Sequence, residues 1–265
     1  MRDEVSKYNL DNSTAESDQE KIDAVNLKLD PIKKILSDKA AERERNSANE
    51  STGIRPGASE AAVTNFLTNR ASDGDPKGST VAPLKLKSSK QGKNSIKLSW
   101  GHVGGAAKYV VYGNRCGSAM KLRPLATTRS MSLNVGSING MKLKKGTYHK
   151  FIVVAFDSSN KAIATSKVIH VTTKGGKHGN YTKVKVSGSV IKKAKKLKVG
   201  KTLKLKAKAK GKRVKKHRGI IYETTNANVA TVSGKGVVKA RGKGSCYVYA
   251  YAQSGAVKAV KITVK

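Results

Sequence analysis

The stretch Ile221-Tyr222-Glu223-Thr224-Thr225-Asn226-Ala227-Asn228-Val229-Ala230-Thr231-Val232-Ser233 decides how this chain reads. Two short runs rich in β-branched and aromatic residues flank an Asn-Ala-Asn turn. Ser233-Gly234-Lys235-Gly236 then reverses the chain into Val237-Val238-Lys239-Ala240. Such runs, bounded by Gly and Asn, predict strands in a hairpin-connected sheet. Downstream the period of two continues. Cys246, Val248 and Ala250 fall on one face, and Tyr247, Tyr249 and Tyr251 on the other. Upstream, Lys204, Lys206, Lys208 and Lys210 alternate with Leu203, Leu205, Ala207 and Ala209. Strands are expected at 182–186, 197–199, 202–209, 220–224, 229–232, 236–240, 245–252 and 257–264. Val229, Val232, Val237, Cys246, Val248 and Ala250 are expected in a small core.

The same period governs residues 84–174. Seven strands are predicted there, at 84–87, 96–100, 109–113, 122–126, 131–135, 148–156 and 168–172. Seven strands in about 90 residues point to an antiparallel sandwich. Trp100, the single tryptophan, ends an alternating run and is placed in its core with Val111 and Val154. Residues 175–180, rich in Gly, Lys and His, read as a linker.

Ahead of the strands the pattern is different. Residues 1–15 are polar. Residues 16–46 carry a helical pattern: Ile22, Val25 and Leu29, then Ile32, Ile35 and Leu36. Asp30-Pro31 reads as a helix start. The stripe fits either a solvated helical pair or a coiled-coil, partner-binding segment. Residues 46–83 read as linker, apart from a short helix near Ala61–Leu67 with Ser59 as its cap.

The net charge of +37 is unevenly placed. Residues 1–75 are slightly acidic, whereas residues 76–265 hold 43 Lys and Arg against only Asp157 and Glu223. Two carboxylates 66 positions apart disfavour paired-carboxylate hydrolysis and an oxygen-ligated Ca²⁺ or Mg²⁺ site in that region. The five His residues show no metalloprotease spacing, and Cys116 and Cys246 form no zinc motif. Cys246 is expected in the core, and Cys116 in a turn as an exposed thiol with no function attached. No catalytic residue, cofactor or metal site is expected. No apolar run reaches the ~18 residues of a membrane span, and the polar start lacks the apolar stretch of a secretory leader.

Two resemblances follow from quoted runs. Ile96-Lys97-Leu98-Ser99-Trp100, Lys108-Tyr109-Val110-Val111-Tyr112-Gly113 and Leu143-Lys144-Lys145-Gly146-Thr147-Tyr148-His149-Lys150-Phe151 resemble strands of a fibronectin type III domain, over about 84–174. His149 stands where that family places a corner tyrosine. Val199-Gly200-Lys201-Thr202-Leu203-Lys204-Leu205, the 221–233 stretch, Gly236–Ala240 and Val260, Ile262 and Val264 resemble a bacterial immunoglobulin-like domain of group 2, the intimin- and invasin-type repeat, over about 181–265. Tyr222 replaces the usual Trp there, and 210–218 is a basic insertion. The expected fold class is all-β: two tandem antiparallel β-sandwiches preceded by a helical or disordered N-terminal segment.

The resemblances imply a non-catalytic, extracellular or cell-surface modular protein acting in spacing, adhesion or cell-wall association. Two alternatives stay open. One is a basic nucleic-acid-associated protein, whose binding would be nonspecific because Lys is a point charge that reads bases poorly. The other is the accessory C-terminal region of a secreted enzyme whose catalytic domain lies elsewhere. The candidate face for an anionic cell-wall polymer, polysaccharide or host surface component comprises Lys204, Lys206, Lys208, Lys210, Lys212, Arg213, Lys215, Lys216 and Arg218, with Tyr247, Tyr249 and Tyr251. A solvated lysine-rich sheet is the bland reading of the same pattern. Glu223 or Asp157 would also fit the carboxylate that promotes a Lys–Asn isopeptide bond in some Gram-positive surface modules. That bond would remove ~17 Da from the intact mass.

Overall fold

The computed structural model describes the backbone of residues 15–50, 53–212 and 219–265, and the side chains of 20–37, 53–212 and 219–265. The chain divides into two compact units after residue 51. In the first, helix α1 (Ala15–Glu50) runs on through Pro31. The expected start at Asp30 is thereby corrected. Proline removes a single backbone donor, and here it sits in an exposed helix where water can serve the carbonyl left over. Asp30 does not cap a helix; its carboxylate pairs with Lys33 at 3.2 Å. Ile22, Ile32, Ile35 and Leu36 are all exposed. No described helix is long and apolar enough to cross a membrane.

The second unit holds two sandwiches. In the first, β1 (Lys87–Gln91), β2 (Ile96–Ser99) and β5 (Ser132–Val135) form a three-stranded sheet in the order β1-β2-β5. It faces a five-stranded sheet ordered β10-β8-β3-β4, built from β3 (Lys108–Arg115), β4 (Arg123–Thr128), β8 (Tyr148–Phe156) and β10 (Ile169–Thr172), with β9 (Ala162–Thr165) also paired to β8; β6 (Ser137–Ile138) and β7 (Met141–Lys142) form a separate short pair. Ile96, Leu98, Trp100, Tyr109, Val111, Phe151 and Val153 fill the space between the sheets. This division agrees with the fibronectin type III resemblance.

The opposite face of the larger sheet is also covered. Val110, Tyr112, Ile152, Val154 and Phe156 pack beneath Ile54, Ala58, Val63 and Leu67. The sequence pattern of residues 46–83 predicts mostly linker, yet Ile54 to Leu67 supply this third layer. Val154, placed by its sequence pattern with Trp100, lies in the outer layer instead. Helix α2 (Glu60–Asn69) starts at Ser59, whose Oγ accepts from the Ala62 N–H at 3.2 Å, as the sequence predicts. Thr64 Oγ1 meets the buried Tyr112 hydroxyl at 2.8 Å, and Glu60 pairs with Lys108 at 2.6 Å. The unbroken apolar run Phe151–Phe156 follows from burial on both faces.

The second sandwich has smaller side chains. The sheet β14-β17-β18 (Ile221–Thr224, Gly244–Tyr251, Val257–Val264) packs Cys246, Val248, Val260 and Ile262 against Leu205, Val229 and Val238. The latter come from in and around the sheet β12-β16-β15 (Thr202–Lys204, Val237–Ala240, Ala230–Val232). Val232 and Tyr222 line its margin, and Ala250 belongs to a neighbouring cluster with Val184 and Ala252. Gly236 has φ +74°, and a Cβ there would lie 2.5 Å from the Tyr222 ring. The tyrosine that replaces Trp therefore packs flush against this turn. A short helix, α3 (Gly188–Ala194), that the sequence reading missed buries Ala194.

Candidate anion-binding face

The run Thr202–Ala209, expected as one strand, is two. Lys206 has φ +47°, a left-handed conformation rare for a residue with a side chain. It ends β12 and redirects the chain into β13 (Lys208–Gly211). β12 pairs with β16, while β13 pairs antiparallel with β11 (Tyr181–Lys185). Lys204, Lys206, Lys208, Lys210 and Lys212 are all exposed, with Leu205 fully buried between them. The expected alternation therefore holds, but it is split over two sheets.

The pairing of β11 with β13 adds lysines that the sequence reading did not single out. Lys183 stands opposite Lys210, and Lys185 opposite Lys208. Residues directly opposite share a face, and alternate residues along a strand do too, so four ammonium groups line one side of a two-stranded ribbon. Mutual repulsion shows in Lys185, whose proton affinity is pushed below the usual lysine range, first by Lys210 and then by Lys183. No acidic residue lies in β11 or β13. Lys212, just past the ribbon, donates to the Gly176 carbonyl at 3.1 Å. Arg213, Lys215, Lys216 and Arg218 lie outside the described residues.

The three tyrosines do not act together. Tyr247 is 45% exposed, but Tyr249 and Tyr251 are 7% and 4% exposed. The expectation of three tyrosines on an open face is corrected for these two. They pack on Val81 where the two sandwiches meet. There the Glu223 carboxylate accepts from the Val81 N–H at 2.8 Å and pairs with Lys167 at 3.1 Å. Asp75 accepts from the Val168 N–H at 2.8 Å and from the Tyr251 hydroxyl at 3.3 Å. The β17–β18 turn docks on the first sandwich through Ser88 N–H to Ser254 O, 3.1 Å, and His170 N–H to Gln253 O, 2.7 Å. Gly255 makes this approach feasible: at φ +86°, a Cβ there would lie 2.1 Å from the Leu86 carbonyl oxygen. Glu223 is thus occupied as a clasp between modules. Asp157 holds its own turn, accepting from the Ser159 and Lys161 N–H groups at 2.9 Å each.

At the fibronectin-like corner, the Thr147 hydroxyl donates to the Lys144 carbonyl at 2.6 Å. His149 Nε2 lies 2.8 Å from the Thr147 oxygen and donates to it, because the hydroxyl proton is already committed. Burial, with Arg115 nearby, pushes the His149 imidazole down to about 4. Among the described residues, no group of three or more His, Cys, Asp or Glu is placed to hold a metal ion.

Residues 182–264 match the family model of the bacterial Ig-like domain (group 2). The Ig-like module's geometry fits that match: a strand opening at Thr202, the successive strands Ile221–Thr224 and Ala230–Val232 in opposite sheets, and the long closing strand at Val257–Val264. Among solved structures, the chain is similar to the fibronectin type III domain of human fibronectin type III domain containing protein 3, at 22% identity over 34% of this chain and 81% of that one, TM-score 0.28. It is also similar to the FN5 domain of Drosophila Lar, at 22% identity over 36% and 96%, TM-score 0.28. A C-terminal intimin fragment, solved with the intimin-binding domain of its translocated receptor, is similar at 12% identity over 67% and 62%, TM-score 0.26. No curated protein matches. Residues 182–264 thus carry a bacterial Ig-like domain, within a chain that holds two β-sandwiches.

Proposed function

We propose that the chain belongs to a non-catalytic bacterial cell-surface protein, in which the clasped sandwiches present the lysine ribbon to an anionic polymer of the wall or of a host surface. The observation that carries this reading is the cross-strand pairing of Lys183 with Lys210 and of Lys185 with Lys208. Like charges placed directly opposite destabilise a sheet. A phosphate- or carboxylate-bearing polymer lying along the ribbon would relieve that repulsion. Arginine, the residue suited to bidentate base or phosphate recognition, is absent from both strands. The face is thus suited to a repeating anion read by charge spacing.

The test is co-sedimentation of the full chain with purified Gram-positive cell walls, intact and stripped of teichoic acid, at about 50 and 500 mM salt, where screening lengths differ severalfold. Binding to intact walls at low salt, lost on stripping and at high salt, is expected. Equal binding to stripped walls would move the ligand to the glycan. No binding at low salt, or a preference for duplex DNA over wall polymer, would contradict the reading.

A further inference from the structure

A group of side chains lies apart from the lysine ribbon and plays no part in the proposed function. Cys116 follows β3 in a turn and is partly exposed, and its Sγ lies 3.3 Å from Nδ1 of His170 on β10. His170 is buried, and its Nε2 lies 3.0 Å from the backbone carbonyl oxygen of Asp73. A carbonyl only accepts, so Nε2 carries the hydrogen. In the neutral ring this leaves the Nδ1 lone pair facing the thiol. The imidazole is therefore held in the tautomer, and at the distance, that a general base for Cys116 requires.

The surroundings carry charge of both signs. Lys150, cross-strand from His170 on β8, is fully buried, and its ammonium donates to the Asp73 carboxylate at 2.7 Å and to the Ser72 and Gly117 carbonyls at 3.1 Å each. The Gly117 N–H, one residue past Cys116, donates to the same carboxylate at 3.0 Å. Burial raises the Asp73 carboxyl, but the Lys150 hydrogen bond, the Gly117 N–H and the charges of Lys150 and His170 outweigh that and hold it below its ordinary value. Arg115 adjoins the thiol in sequence. From the second sandwich the neutral Gln253 carbonyl accepts from the His170 backbone N–H. The Lys150 ammonium is thus tied to the carbonyl of the residue after Cys116, and an imidazolium at His170 has an anion nearby, Asp73.

We propose that Cys116 and His170 form a thiol–imidazole dyad that makes Cys116 a nucleophilic modification site for low-molecular-weight disulfides. The thiol proton passes to His170 Nδ1. The thiolate attacks one sulfur of R–S–S–R, forming the Cys116–S–S–R bond as the original S–S bond breaks, and the departing RS⁻ takes the proton back from the imidazolium. The incoming disulfide is the oxidant, and one equivalent of free thiol is released. Cys246 is the internal contrast. It is buried, its thiol is pushed up by burial despite the Thr224 hydrogen bond, and no histidine faces it among its described contacts.

The test follows iodoacetamide alkylation of each cysteine by peptide mass spectrometry from pH 5 to 10 on the folded full chain, with the urea-unfolded chain as reference. An ordinary thiol titrates near 8.5, so about 1% is thiolate at pH 6.5. The dyad predicts that folded Cys116 reacts at least about tenfold faster at pH 6.5 than the same residue unfolded, with Cys246 protected, and that glutathione disulfide adds one glutathione at Cys116. His170→Gln, which keeps a donor for the Asp73 carbonyl but takes no proton, is expected to return the half-point to near 8.5. A folded wild-type half-point near 8.5 would overturn the proposal, even if the variant fails to fold. So would a low half-point that persists in a folded His170→Gln protein.

Discussion

The seam between the sandwiches and the β11–β13 ribbon treat charge in opposite ways. From residue 53 onward the chain has five carboxylates against 45 Lys and Arg. All five carboxylates are used where chain segments must be tied. Glu60 pairs with Lys108, Asp73 with buried Lys150, and Asp157 closes its own turn. Asp75 and Glu223 join the sandwiches. At the ribbon, lysines face lysines. A scarce anion placed at each joint and a surplus of cations left facing water indicate that the excess charge is not needed to hold the fold. In the proposed function its counter-charge is the anionic polymer.

The sharpest break of this contrast is at Asp73. Asp73→Ala leaves Lys150 buried with only carbonyl partners. Removing one member of a buried pair costs about 3–5 kcal/mol, and a fall of that size in the urea-unfolding free energy is expected. Little change would mean that the ammonium rehydrates and that the joint is not electrostatic.

Acid probes the same sandwich without mutation. His149 titrates at about 4 when folded and near 6.5 when unfolded. Its contribution is complete above about 6.5 and is lost as pH falls through that window to 4, because only the unfolded chain takes up the proton. The loss approaches about 3 kcal/mol at 1.36 kcal/mol per unit. Asp73, held low, gives way only below its ordinary value. Thermal melts should therefore decline in two stages on acidification. Constant stability from pH 7 to 4 would contradict the burial of a neutral His149.

At the seam, Glu223→Ala orphans the Val81 N–H and leaves the Lys167 ammonium only its longer pair with Asp75, at 4.0 Å. A loss of about 1–3 kcal/mol is expected, with faster proteolysis between the sandwiches. The smallest effect belongs to the ribbon. Lys183→Gln with Lys185→Gln is expected to stabilise the fold by a few tenths of a kcal/mol, and the gain should shrink in high salt. A loss of stability would mean that the lysine stems do more packing than repelling.

Much of this was legible in the sequence. The strands at 148–156 and 257–264 match β8 and β18 residue for residue, because alternating or unbroken apolar runs bounded by turns leave little choice. The third layer was not. Ile54, Ala58, Val63 and Leu67 are sparse anchors in a polar, proline-bearing stretch, and the sign of their existence lay elsewhere, in a strand apolar on both faces. The lysines of 204–212 were visible, but their partners were not. A left-handed lysine at 206 has no sequence signal, and the register that sets Lys183 against Lys210 depends on a pairing across more than 20 residues. Tyr249 and Tyr251 looked like open aromatics because an isolated strand does not announce a neighbouring domain. Cys116, His170 and Asp73 are likewise joined only by tertiary structure.

The central claim, that the ribbon is a site and not only surplus charge, is tested most directly by comparing two variants of equal charge. One carries Gln at Lys183, Lys185, Lys208 and Lys210. The other carries Gln at Lys87, Lys90, Lys93 and Lys97, which are exposed on the first sandwich. The dissociation constant for purified wall teichoic acid is measured for both at about 50 mM salt. A loss of about tenfold or more for the ribbon variant, against less than about threefold for the control, is the expected result. Equal losses would contradict a localised face and leave net charge as the whole explanation.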